Sequence, residues 1–128
     1  MNLLTKDNIN EFMDYYHYLH DSSINKINYN STEAKVEVII NIYWSGEPVI
    51  KSDGTYDTHK CRIRMVFTGV DKFSDNQDYS SIDDSSVEYY DKDGKDLICI
   101  SLQCDYLDEE PLIYIVCEKI EYEIFDDK

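Results

Sequence analysis

The stretch Leu112-Ile113-Tyr114-Ile115-Val116-Cys117-Glu118-Lys119-Ile120-Glu121-Tyr122-Glu123-Ile124-Phe125 decides how this chain folds. Its even positions Leu112, Tyr114, Val116, Ile120, Tyr122 and Ile124 are nearly all apolar. Its odd positions begin as Ile113, Ile115 and Cys117 and end as Lys119, Glu121 and Glu123. Successive side chains of a strand point to opposite faces, so the first half reads as covered on both faces and the second half on one. The segment is expected to be one long strand, central in its sheet, with an N-terminal helix as one cover.

Working outward, Ala34–Trp44 alternates Val36, Val38, Ile40, Ile42 and Trp44 with Lys35, Glu37, Ile39, Asn41 and Tyr43, the period of a strand. Cys61, Ile63, Met65 and Phe67 alternate with Arg62 and Arg64 in a second long strand, and Gly69 predicts a bulge or bend beyond it. Ser23–Tyr29 reads as a short strand. Val87–Tyr90 and Leu97–Cys104 flank Asp93-Gly94, a two-residue hairpin signal. Gly46, Pro48 and Asp53-Gly54 place turns and a hairpin tip between Ser45 and Lys60, and the polar run Asp71–Ser86 reads as a mobile loop. Residues 5–19 are expected to be helical, capped by Thr5 or Asp7, with Ile9, Phe12, Met13, Tyr16 and Leu19 on one face. The expected fold is α+β: one domain over 1–128, an N-terminal helix packed on a mostly antiparallel sheet of about six strands, open to a sandwich-like arrangement.

Composition narrows function more than any motif. The chain of 128 residues carries 27 acidic and 12 basic side chains, a formal net charge of −15. Residues 1–64 carry −2 and residues 65–128 carry −13. Such a field repels phosphate, so neither nucleic acid nor an anionic membrane is an expected partner, whereas a cationic protein would be attracted. The competing reading is that acidity serves solubility alone. Met1 to Asp7 shows no basic region followed by an apolar run, which predicts a cytoplasmic protein with Cys61, Cys99, Cys104 and Cys117 reduced.

No catalytic motif is present, and the expectation is a non-enzyme without a cofactor. His17, His20 and Asp21 share a helix end, and imidazole with carboxylate suits Zn²⁺, but the ligand set is incomplete, with no His-Glu-x-x-His pattern and only His59 elsewhere. Histidine at a helix C-terminus and an aspartate turn explain them without metal. Asp91-Lys92-Asp93-Gly94-Lys95-Asp96 opens like a calcium loop and departs from one at Lys95, Asp96 and Leu102. A small metal-dependent or Cys/His enzyme, or an accessory structural domain, stands as the alternative. The cluster with the chemistry to grip Arg and Lys is acidic and aromatic: Tyr89, Tyr90 and Asp91, then Asp105, Tyr106, Asp108, Glu109 and Glu110.

Leu19-His20-Asp21-Ser22-Ser23-Ile24, after a short helix and before a strand, resembles the Leu-His-Asp-Ser/Ala turn of small bacterial domains assigned as immunity proteins of polymorphic toxin systems. Phe67-Thr68-Gly69-Val70-Asp71-Lys72-Phe73 is similar to a Phe-x-x-Val-x-x-Phe stretch in such domains. The resemblance implies an antiparallel sheet with a packed helix and an inhibitory protein–protein role. Its implied partner is a cognate toxin, for which the acidity of this chain predicts a basic surface.

Overall fold

Two long alternating stretches, 61–75 and 113–127, pair with each other and frame the molecule. The computed structural model describes residues 1–57, 60–75, 81–103 and 112–127. Strand β1 (Asn2–Leu4) precedes helix α1 (Ile9–Tyr15), which is followed by β2 (Ser23–Asn30) and β3 (Lys35–Ile42). Two short strands, β4 (Val49–Ile50) and β5 (Tyr56–Asp57), lead to β6 (Cys61–Thr68) and β7 (Lys72–Asp75). Strands β8 (Asp84–Lys92), β9 (Lys95–Gln103), β10 (Ile113–Cys117) and β11 (Lys119–Asp127) complete the described chain.

These strands form a five-stranded sheet in the order β1-β11-β6-β3-β2, a four-stranded sheet in the order β7-β10-β9-β8, and the separate ribbon β4-β5. Every pairing is antiparallel. The expectation of a helix on one sheet of about six strands is therefore corrected. Eleven strands among the described residues fall into three sheets, against a single helix of 7 residues. Alternation sorts one face of each large sheet into a shared core. Val36, Val38 and Ile40 lie opposite Phe67, Met65 and Ile63 in the first sheet, and meet Ile100, Leu102, Ile113 and Ile115 of the second. Ile9, Phe12 and Met13 of α1 join that cluster, so the helix is a plug within a mainly β structure. Each such side chain contributes roughly 1.5–3 kcal/mol by leaving water.

The single strand expected over Leu112–Phe125 is two strands in two sheets. Below the break, Val116 pairs with Lys72; above it, Lys119 pairs with Thr68. Between those pairs, Gly69, Val70 and Asp71 oppose only Cys117 and Glu118, which is one residue too many on the first side. An extra residue bends and twists a ladder, and corners where strands change sheet are built this way. Ile113, Ile115 and Cys117 face the core before the corner, and Ile120 and Tyr122 face it afterwards. Cys117 and Ile120 are both fully buried. The change of core-facing positions from odd to even along this stretch is thus a switch of phase at the corner, whereas the first half is buried on both faces. Val116 does lie on the outer face, buried with Leu97 and Cys99 in a small second cluster under Tyr114. Gly69 marks the corner with φ +63°, and Glu118 N donates to both Thr68 O and Gly69 O at 3.2 Å.

Two further expectations change. Helix α1 covers less than half of the expected span 5–19, and Asn8 occupies its cap position while its side chain accepts from Thr5 N at 2.6 Å. The run Asp71–Ser86 contains β7 and the start of β8; polar composition disguises them because β7 and β8 are the edge strands of their sheet.

Candidate protein-docking surface

The chain leaves α1 through a turn of unusual hand. His17, Tyr18 and Leu19 have φ of 52°, 52° and 64°, and Asp21 follows at 62°. Left-handed backbone costs L-residues about 1–2 kcal/mol each, so three in a row persist only where surrounding contacts enforce them. Leu19 is buried in the core, and Ser85 Oγ donates to Tyr18 O at 2.6 Å. His17 Nε2 lies 2.6 Å from Gly46 O and His20 Nδ1 lies 2.7 Å from Asp83 O. A carbonyl only accepts, so both nitrogens carry protons and donate. Asp21 Oδ2 accepts from Trp44 Nε1 at 2.9 Å, and the buried Ser22 Oγ accepts from Tyr43 N at 3.2 Å. The turn therefore ties the helix end to segment 43–46 and to segment 82–85.

That placement accounts for His17, His20 and Asp21 by structure. Each imidazole gives one ring nitrogen to a backbone carbonyl, His20 Nε2 lies 3.5 Å from Asp21 Oδ1, and no three His, Cys, Asp or Glu side chains come close enough to hold a metal among the described residues. His59 lies outside those residues. The calcium-like segment is the β8–β9 hairpin turn, with positive φ at Asp93 and Gly94 and Gly94 N donating to Asp91 Oδ1 at 3.0 Å.

Around the turn the surface is aromatic. Tyr15 is 54% exposed, and Tyr18 and Tyr43 are exposed beside it. Trp44 sits between His17 and Tyr43, with ring centroids 5.8 and 5.3 Å away. Gly46, at φ +63°, lets the Tyr15 ring lie against the backbone; a Cβ there would approach the ring to 3.2 Å. An open cleft of about 670 Å³ runs between Tyr15 and Tyr18 on one side and Glu47 and Pro48 on the other. Asp14 and Glu47 bring carboxylates to it and His17 and His20 imidazoles, with neither lysine nor arginine in its lining among the described residues. Tyrosine faces beside carboxylates match a lysine or arginine side chain, through charge and cation–π attraction together. A smaller cleft of about 300 Å³ lies across the turn and mixes Asp21 with Lys60 and Arg62.

Beyond Pro48 the ribbon β4-β5 leaves both large sheets. Its two strands pair only with each other, Val49 opposite Asp57 and Ile50 opposite Tyr56. Every residue from 49 to 57 is exposed. The turn at its tip is held by Asp53 Oδ1, which accepts from Thr55 N at 3.0 Å and from Thr55 Oγ1 at 2.6 Å.

The acidic–aromatic cluster read from the sequence is divided by the same alternation. Tyr90 and Asp91 are exposed on β8, whereas Tyr89 turns toward the core, with its hydroxyl buried and without a hydrogen-bond partner among the described residues. Burial raises the Tyr89 pKa. Asp105, Tyr106, Asp108, Glu109 and Glu110 lie outside the described residues. Tyr15, Tyr18, Tyr43, Ile50 and Tyr56 were not singled out by sequence reasoning. The available signal was the apolar pair Val49-Ile50 inside a polar, turn-rich segment. No disulfide joins Cys61, Cys99 and Cys117 among the described residues, and Cys104 lies outside them. Burial pushes the Cys117 pKa up to about 12 and raises that of Cys99. Both thiols are thereby held protonated, the opposite of an activated nucleophile.

No family model matches this chain, and no curated protein does. Among the described residues, no helix is long and apolar enough to cross a membrane.

Proposed function

We propose that this chain is an acidic protein-binding domain of the immunity type, which neutralises a basic toxin in the bacterial cytoplasm by docking on it. The observation that carries the reading is the cleft beside Tyr15 and Tyr18, which Asp14 and Glu47 line and in which no lysine or arginine stands among the described residues. Set in a chain of net charge −15, such a cleft favours a protruding Lys or Arg of a cationic partner and speeds the encounter. The Leu19-His20-Asp21-Ser22 turn, by which the chain resembles immunity domains, is also what positions Tyr18 and Trp44 at this surface. Resemblance and geometry thus support the same end of the molecule. Inhibition by docking uses no catalytic group.

Co-purification from the source cells at low and moderate salt tests the reading. The retained protein is expected to be basic, to be inhibited in its own activity by this chain, and to be released progressively as salt rises. Replacing both carboxylates, Asp14→Asn with Glu47→Gln, should slow association and flatten that salt dependence. An acidic partner, or binding that strengthens with salt, overturns the reading.

A further inference from the structure

The ribbon of Val49–Ile50 and Tyr56–Asp57 has no structural reason to carry large apolar side chains. Val49 is 58% exposed, Ile50 66% and Tyr56 61%, and none of them belongs to either core cluster. Directly opposed residues of an antiparallel pair share a face, so Ile50 and Tyr56 form one apolar pair on one side of the ribbon. Two strands alone are marginally stable in water, and this pair adds nothing to the main core. A side chain of this kind, left in water by the fold, contributes free energy only when something covers it.

Charge narrows what covers it. A second copy of the chain would bring another −15 against the first, and an anionic bilayer would repel it likewise. The ribbon also springs from the wall of the acidic cleft, since Gly46, Glu47 and Pro48 line that cleft and Val49 begins β4. One partner surface can therefore engage both features together. We infer that Ile50 and Tyr56 are the apolar anchor of this interface, inserted into a hydrophobic groove of the partner whose rim is basic. The inference rests on the reading of a cationic protein partner. It assigns different physics to the two halves of one contact. Asp14 and Glu47 govern encounter and salt dependence, whereas Ile50 and Tyr56 govern residence once water is excluded.

The test separates those contributions. The protein retained by the chain is identified, purified and titrated against wild type, against Ile50→Ser with Tyr56→Ser, and against Asp14→Asn with Glu47→Gln. The ribbon variant is expected to weaken binding about tenfold or more, chiefly through faster dissociation, with the salt slope unchanged. Because residues 49–57 are all exposed, its unfolding midpoint should match wild type, which distinguishes a lost anchor from a lost fold. A basic partner bound equally well by the ribbon variant overturns this inference and leaves the charge reading standing. Retention of nothing, or of an acidic protein, overturns the reading beneath it. Sedimentation of the free chain and flotation with phosphatidylcholine vesicles cover the other occupants. Self-association or vesicle binding that the ribbon variant abolishes would assign the anchor to a second copy or to lipid, and would overturn the proposal.

Discussion

Adding one methyl group at the corner between the sheets, Gly69→Ala, should cost more than at any other glycine of the chain. Gly69 sits at φ +63°, and a Cβ built there lies 2.8 Å from both Cβ and Cδ of Glu118, a separation that real Cβ atoms essentially never show. Left-handed backbone costs an alanine about 1–2 kcal/mol, offset by about 0.4–1 kcal/mol because the unfolded chain also loses freedom. Relieving the contact requires Glu118 to move, and Glu118 N is bonded to Thr68 O and Gly69 O where both long strands change sheet. Overpacking of this kind costs typically about 1–3 kcal/mol, so the total should be roughly 2–4 kcal/mol. Gly94→Ala is the control. It has φ +81° with nothing within 4 Å of its Cβ, so it carries the backbone term alone, about 1 kcal/mol. Urea unfolding followed by the fluorescence of the single tryptophan, Trp44, measures both. Glu118→Ala in the Gly69→Ala background removes the carboxylate arm and should restore part of the loss. Equal destabilisation by Gly69→Ala and Gly94→Ala, within about 0.5 kcal/mol, would refute the argument that the corner is sterically closed.

Three further outcomes follow from burial. Phe12 is 6% exposed, with its ring 5.0 Å from Tyr16 and 4.5 Å from Tyr122 between centroids, so Phe12→Ala should cost about 3–5 kcal/mol. A loss below about 1 kcal/mol in the same assay would remove the helix from the core. Thiol titration without reductant should find four thiols in denaturant, while Cys99 and Cys117 resist reagent in the native state; two or none on denaturation would mean disulfides. Burial raises the folded pKa of Cys117 from an ordinary 9.0 to about 12, and raises that of Tyr16 above its ordinary 10.0. Above those ordinary values the unfolded chain releases protons that the folded chain keeps, so this contribution is intact below about pH 9 and is lost as pH rises toward 12. An unfolding free energy that stays flat or increases from pH 9 to 11 would contradict this.

Much of the β architecture was legible along the chain, because a period of two in β3 and β6 leaves each strand one apolar face and therefore one possible orientation. The Asp93-Gly94 hairpin was legible for a local reason as well: consecutive positive φ is cheap only for such residues. The helix was misjudged for a physical reason too. Leu19 continues the apolar spacing of α1, but it reaches the core by a left-handed turn that contacts from Ser85 and Gly46 impose, and nothing within 5–19 encodes those. The aromatic cleft was equally hidden, since Tyr15, Tyr18 and Glu47 become neighbours only once His17 is bonded to Gly46. The stretch Leu112–Phe125 shows the division most clearly. Its own residues determined that it is extended and apolar on both sides in its first half, because alternation is a property of the strand itself. Tertiary structure decided that it serves two sheets. The shift of phase at Glu118 arises from one surplus residue on the opposing strand, and a register belongs to a pair of strands, never to one of them alone.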